Sequence, residues 1–278
     1  MKTTDVSAVT CEDVGKLWDE NARLWTYLIR NGHDLYRDHV NTPGFFSILP
    51  DVKGLRGLDI GCGEGDYTRH LAQRGAMMTG VDISPTFIEL AQETESNQPL
   101  GINYIERNAV DLQFNSCSFE FTTAVLALMN IPDYRSAIKE AYRVLKYGGF
   151  LQLSITHPCF WSLQMDWSHD EEGKKRALLC QQYFEGLVQI PSDWIWEWVR
   201  DSSYVGGKST FTTVVFKQTL SEWLNALTEA GFVIEKTLEP RPSEESIAAH
   251  PEIYDSLIVP FFLVIQCRKY RSLPPMHK

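Results

Sequence analysis

Between the apolar run "GLRGLDI" and the helically spaced segment "DYTRHLAQ" lies Gly61-Cys62-Gly63-Glu64-Gly65, three glycines in five positions. A backbone that bare is useful where something must approach it closely. Glycine lacks the Cβ that would hold a ligand off, and the helix start that follows presents N–H groups without intrahelical partners. A strand that passes through a glycine turn into a helix is the opening unit of an α/β sheet, and such sheets bind ligands at the carboxyl ends of their strands. The second β-rich run, "MMTGVDI", ends at Asp82, where a carboxylate is placed to accept both hydroxyls of a ribose. The stretch asks for a nucleoside-containing ligand.

The rest of the middle of the chain agrees with that opening. Apolar runs alternate with helical segments through "PTFIELAQETE", "INYIERN", "SFEFTTAVLAL", "YRSAIKEAYRVLKYGG" and "FLQLSIT", which predicts an α/β fold, doubly wound and Rossmann-like, with a mostly parallel seven-stranded sheet and helices on both faces. In "RSAIKEAYRVLKYGG" the apolar Ala137, Ile138, Ala141, Val144 and Leu145 recur at helical spacing; Gly148-Gly149 is expected to end the helix and Phe150 to open the next strand. Further on, Thr219 or Ser221 is expected to cap a helix closed by Gly231, with late strands over 233–239 and 258–267. Four parts are expected: an N-terminal helical cover (1–50), a ligand-binding Rossmann-like core (51–157), an inserted substrate cap after the fifth strand (158–210), and a C-terminal part completing the sheet (211–278).

Composition narrows the partners. The formal net charge of −10 repels polyphosphates, so no nucleic-acid partner is expected. No apolar run reaches membrane-spanning length and the N-terminus lacks a signal-peptide pattern, so no membrane partner is expected and the default address is cytoplasmic. Six cysteines without a C-x-x-C pair and seven scattered histidines give no support for a metal site.

Two nucleoside cofactors use such an architecture. Dinucleotides favour G-x-G-x-x-G, whereas this chain has G-x-G-x-G with an acidic Asp59 two residues before the first glycine. The composite of "LDIGCGEG", "GVDIS", "RNAVDLQF", "SFEFTTAVLALMNI" and "AYRVLKYGGFLQLSITHP" resembles the class I S-adenosylmethionine-dependent methyltransferases, in the small-molecule, type 11 and quinone-biosynthesis-like branch. The resemblance covers 55–158 closely and "LSEWLNALTEAGFVIEKTLEP" more loosely. It implies an enzyme that moves a methyl group from S-adenosyl-L-methionine to a small-molecule acceptor by in-line displacement, leaving S-adenosyl-L-homocysteine. Residue by residue, it implies that Asp59 helps hold the methionine ammonium through water or loop amides, while Gly61, Cys62 and Gly63 offer backbone to the methionine and ribose. It further implies that Asp82 takes the ribose hydroxyls, Ile83 packs on the adenine, Asn108 and Ala109 meet the adenine edge, and Leu126 and Ala127 line the sulfonium side. Many relatives have Asp before that alanine, so Asn108 is a departure. A non-catalytic S-adenosylmethionine-binding module and a nicotinamide-dependent oxidoreductase are the competing readings.

The cofactor carries the activation in such a transfer, and the protein contributes proximity, orientation and exclusion of water. His157, just beyond the fifth strand in "ITHPCF", is the candidate catalytic group at the acceptor, set against a role as a strand cap. Candidate substrate-binding residues are Tyr36 and Arg37 of the leader, Trp18 with Trp25 two turns further along the same helix face, and Trp161 of the insertion. The sequence "LALMNIPDY" stands where an NPPY-type tetrapeptide marks methylation of amide or base nitrogens, which lowers the weight of those acceptors.

Overall fold

Burial on both faces is what makes a strand central in a parallel sheet, and β1 (Arg56–Ile60) is buried at every position after its first residue. It is followed by α3 (Asp66–Gln73), β2 (Met77–Asp82), α4 (Pro85–Asn97), β3 (Asn103–Glu106), β4 (Phe119–Val125), α5 (Tyr134–Val144) and β5 (Leu145–Thr156). Before them come α1 (Cys11–Arg30), a π-helical turn (Arg37–Asn41) and α2 (Thr42–Ser47). After them come the short strands β6 (Asp166–His169), β7 (Lys175–Leu179), β8 (Val188–Trp194) and β9 (Phe211–Phe216), then α6 (Leu220–Glu229), β10 (Phe232–Leu238), α7 (Glu244–Ala249) and β11 (Phe262–Lys269). The structure is a computed structural model that describes residues 9–160, 166–180, 183–184, 188–195, 199 and 210–271.

The main sheet has seven strands in the order β10-β11-β5-β4-β1-β2-β3. β1 to β5 pair in parallel, and β11 runs antiparallel to both β5 and β10. The strand order reverses beside β1, between β2 and β4, and a crevice opens at such a reversal. One large core lies under α5 and α6, where Ile138, Leu145, Leu151, Leu153, Trp223 and Ile265 are buried together.

Three boundaries differ from the sequence expectation. The helix α5 stops at Val144, and Leu145 already pairs with Phe119, before Phe150 pairs with Phe121. The four residues from Lys146 to Gly149 bulge out between those pairs, and Gly148 has φ +85°. Leu145 belongs to the core in either conformation, which is why its spacing read as helix. The last strand starts at Phe262 rather than 258, because Pro251–Leu257 winds into 3-10 turns. Third, β9 is not part of the main sheet but pairs antiparallel with β8, so the hairpin straddles position 210 and the core elements resume at α6. The cap of α6 is Thr219, in a reciprocal capping box with Glu222.

Candidate functional site

The crevice is shaped by the loop after β1. The N–H groups of Gly61 and Cys62 both donate to the Val81 carbonyl, at 2.8 and 2.9 Å, which folds the loop back against β2. Gly61 and Gly63 have φ of +69° and +54°, a left-handed backbone that a residue with a Cβ adopts at a cost. A Cβ on Gly61 would stand 2.5 Å from that of Ala127, whereas one on Gly63 would meet no protein atom within 4 Å and would enter the crevice.

Asp82 holds this loop from the neighbouring strand. Its Oδ2 accepts the Gly63 N–H at 2.9 Å and its Oδ1 accepts the Ser84 N–H at 2.9 Å. Burial raises the Asp82 pKa above the ordinary carboxylate range, opposed by those backbone donors. Asp59 sits behind the loop, 1% exposed and absent from the cavity wall. Its oxygens accept hydroxyl protons from Thr68 on α3 at 2.6 Å and Thr123 on β4 at 2.7 Å. Asp59 thus ties three elements together beneath the glycines, and direct contact with a ligand ammonium is not its position.

Burial pushes the Asp59 carboxyl up to about 6, with the two threonine bonds opposing and the Asp82 and Asp66 charges adding. Against about 3.9 in an unfolded chain, the fold takes up this proton first on acidification. The resulting stabilisation is fully present below the unfolded value and is lost as pH rises through the folded one. Going from about pH 4.5 to about pH 7, the parent should therefore lose thermal stability relative to Asp59→Asn. Identical pH dependence in the two proteins would remove this account. Asp34, also pushed up to about 6 by burial, is common to both and cancels.

The cavity wall is made by the sheet edge on one side and α1 on the other. Gly61, Cys62, Gly63, Asp82, Ile83, Asn108, Ala109 and Leu126 all line it. Asn108 is also a turn residue, its Oδ1 accepting the Val110 N–H at 3.2 Å. Leu126 has φ +52°, rare for a branched side chain, and is fixed there by its N–H to Ser154 O at 2.9 Å and by Asn130 Nδ2 donating to its carbonyl at 3.1 Å. Such strain is characteristic of ligand-facing positions. Burial and the nearby Asp82 and Asp59 charges drive the Cys62 thiol well up, so it remains protonated and is no nucleophile.

From α1, Cys11, Val14, Trp18, Trp25 and Ile29 face the same cavity, a spacing that defines one side of a helix. Trp18 and Trp25 meet edge to face at 5.3 Å between ring centres. Arg37 also reaches the wall, buried, with its guanidinium ion-paired to Asp38 at 2.8 Å and to Asp66, and lying 5.1 Å over the Tyr67 ring. Burial alone would weaken its charge, but Tyr67, Asp66, Asp38 and Asp34 together outweigh that and hold it protonated.

Two candidates fall elsewhere. Tyr36 is not in the wall; its hydroxyl donates to Asp255 Oδ1 at 2.7 Å and its ring packs on Phe261. His157 is 2% exposed, outside the wall, and both ring nitrogens are engaged. Nδ1 accepts the Cys159 N–H at 3.2 Å, which leaves the proton on Nε2 to be donated to Glu239 Oε1 at 3.0 Å. The structure therefore places His157 away from the cavity, as a ring that fixes the turn after β5, its pKa lowered by burial against the opposing Glu239 carboxylate. Trp161 lies outside the described residues. Wall residues that the sequence did not single out include Cys11, Ile29, Phe87, Arg107 and Ile131. Cys11 and Ile29 lie at the two ends of α1, Phe87 in the first turn of α4, and Arg107 and Ile131 in the loops after β3 and β4, so only the fold brings them together.

Comparison with known proteins agrees with the geometry. Residues 58–153 match the type 11 "Methyltransferase domain" family. The demethylmenaquinone methyltransferase of Staphylococcus epidermidis is 34% identical over 122 residues, covering 43% of this chain and 48% of the relative. The chain thus spans about half the length of the curated relatives it matches. The crystal structure of an S-adenosylmethionine-dependent methyltransferase from Mesorhizobium loti superposes with a TM-score of 0.65 at 27% identity, covering 82% of this chain and 96% of that one. Another from Listeria monocytogenes gives 0.63 at 25%, covering 82% and 95%. No helix among the described residues is long and apolar enough to cross a membrane. With its glycine loop, strand-end aspartate and sheet order, the chain carries the class I S-adenosylmethionine-dependent methyltransferase fold, and its residues 58–153 match the type 11 methyltransferase domain family.

Proposed function

We propose that the protein transfers a methyl group from S-adenosyl-L-methionine to a small-molecule acceptor, within a cavity shared by the sheet edge and the leader helix. The observation that carries this reading is the bare cradle at Gly63, where a Cβ would meet only cavity, beside the Asp82 carboxylate that organises it. A nucleoside placed along that edge finds Asp82 for its ribose hydroxyls, Ile83 and Ala109 for the faces of its base, and Asn108 at the base edge. Arg37 supplies a held positive charge for a carboxylate. When bound, the cofactor supplies an electrophilic methyl on a sulfonium. The protein's part is to orient the acceptor and keep water out.

The wall constrains how the acceptor is activated. Glu64 is paired with Arg30 at 2.9 Å and Arg69 at 2.7 Å, Asp66 with Arg37, and Asp82 with two backbone donors. Burial raises the Tyr67 phenol to about 12, and it is bonded to Asn41 and Thr42. No unengaged base faces the cavity among these groups, which favours an acceptor that arrives as its own nucleophile, such as an acidic ring hydroxyl, a carboxylate or a neutral amine. Trp18, Trp25, Ile29 and Leu126 make much of the wall apolar, and that suits a ring-shaped acceptor, in keeping with the demethylmenaquinone named for the curated relative. The leader, which lines the wall through α1 and Arg37, is read as the cover of this cavity, while no described residue of 158–210 lines it, and the address is read as cytoplasmic.

The test is transfer of tritium from methyl-labelled S-adenosylmethionine, with the dialysable fraction of a cell extract as the source of acceptor. Label is expected in a dialysable product, with stoichiometric S-adenosylhomocysteine. Label confined to macromolecules would overturn the small-molecule acceptor. Tight cofactor binding with no transfer to any fraction would favour a sensor instead.

A further inference from the structure

The wall that α1 contributes is fastened close to the cofactor edge at two points: at the end of the helix Arg30 pairs with Glu64 of the glycine loop at 2.9 Å and donates to the Leu90 carbonyl and Thr94 hydroxyl of α4, and nearer its middle Asp19 meets the start of α4. Asp19, which follows the wall residue Trp18, directs a single oxygen, Oδ1, to two donors beyond its own helix: the Ser84 hydroxyl at 2.6 Å and the Thr86 N–H at 2.8 Å. Those donors form the first turn of α4, where Ser84 itself caps the helix by accepting the Phe87 N–H at 3.1 Å. The Ser84 N–H donates to Asp82, and Asp82 in turn receives the Gly63 N–H. An unbroken chain of hydrogen bonds therefore runs from the leader helix through Ser84 to the carboxylate and then to the glycine loop. One turn before Asp19, Gly15 lies against Ile83 so closely that a Cβ there would stand 3.1 Å from the isoleucine side chain.

α1 is also fastened separately to β9. Asn21, fully buried, mimics a strand edge towards β9, donating to the Thr212 carbonyl at 2.8 Å and accepting the Thr212 N–H at 3.1 Å. Trp25 packs on Phe211 with ring centres 5.1 Å apart. The β8–β9 hairpin thus rides on the leader helix, and any opening of the cavity at α1 carries the hairpin with it. An ion pair between α1 and α4, Arg23 with Glu89, has both side chains more than half exposed and contributes little.

We propose that Asp19 is a positioning residue: it latches the α1 lid to the α4 N-terminus and, through Ser84, holds Asp82 in its cofactor-binding orientation. Lid closure and nucleoside binding are then coupled through the Asp19 oxygen, alongside the direct Arg30–Glu64 tie between α1 and the glycine loop. A nucleoside cofactor leaves only when the Asp19 bonds to Ser84 and Thr86 break, and its presence under the lid favours their formation. This inference rests on the cofactor assignment above.

The experiment is displacement of bound tritiated S-adenosylhomocysteine by excess unlabelled ligand, on the full chain and three variants. Alanine is favourable in a helix, so Asp19→Ala is expected to fold. Its dissociation rate should rise at least tenfold. Asp19→Asn keeps an oxygen that accepts both hydrogens and should remain within about threefold of the parent. Arg23→Ala, which breaks only the exposed pair, should do the same. A parent-like rate in Asp19→Ala overturns the latch, and so does an equal acceleration in Arg23→Ala, which would mean that general docking of α1 governs release. Failure of Asp19→Asn to restore the rate would overturn the role given to the accepting oxygen. If the parent itself binds no S-adenosylhomocysteine, the cofactor assignment fails first, and the two failures are told apart by that control.

Discussion

Asp82→Ala is expected to weaken S-adenosylhomocysteine binding by at least a hundredfold while the chain stays folded. A hydrogen bond to a charged group is worth about 1.5–3 kcal/mol, and tenfold in affinity is about 1.4 kcal/mol. One ribose contact would account for about ten- to hundredfold. Asp82 does more, because the same carboxylate accepts the Gly63 and Ser84 N–H groups. Its loss frees the glycine loop and cuts the chain of bonds to α1 at its middle, so the variant loses preorganisation as well as a partner. Titration calorimetry on protein with a normal thermal transition makes the comparison, and unchanged affinity would sink the assignment of this edge to a nucleoside.

The glycines should separate into two kinds. Gly63→Val is expected to keep the fold, since a Cβ there meets no protein atom within 4 Å. Its cost to stability is that of a left-handed backbone, about 1–2 kcal/mol. Its branched side chain fills the space a ligand would take, and stabilisation by cofactor should vanish in a thermal shift experiment. Gly61→Ala carries the opposite signature. Its methyl would meet that of Ala127 at 2.5 Å, so the loop or the Leu126 turn has to move and the unliganded protein itself loses stability. Retained thermal stabilisation by cofactor in Gly63→Val would reduce the loop to a turn with no ligand role.

Local chemistry was enough to read the architecture. The helix caps, the glycine turn and the runs of apolar residues that become β1, β2, β4 and β5 are written in neighbouring residues, and their order admits few ways of forming a parallel sheet. The same holds for the cofactor edge, since Gly61, Gly63, Asp82 and Asn108 all sit at strand ends that parallel topology gathers on one side. Where local patterns were ambiguous, tertiary packing decided. Leu145 satisfies a helical spacing and a strand register equally well, and pairing with Phe119 made it a strand.

What lay beyond local reading was every relation between distant segments. Nothing near His157 announces that its ring would turn away from the cavity to Glu239, 82 residues on. Nor does anything near Asp19 show that its partner is Ser84, or near Asn21 that it pairs with Thr212. The amphipathic pattern of α1 shows that one face is covered but not what covers it. By itself the sequence determined the alternating strands and helices, the loop that bares its backbone and the carboxylate beside it, because each depends on bonding within a few residues. Only the tertiary structure decided which side chains wall the cavity and which helix closes it, because those contacts join segments that meet only once the sheet has formed.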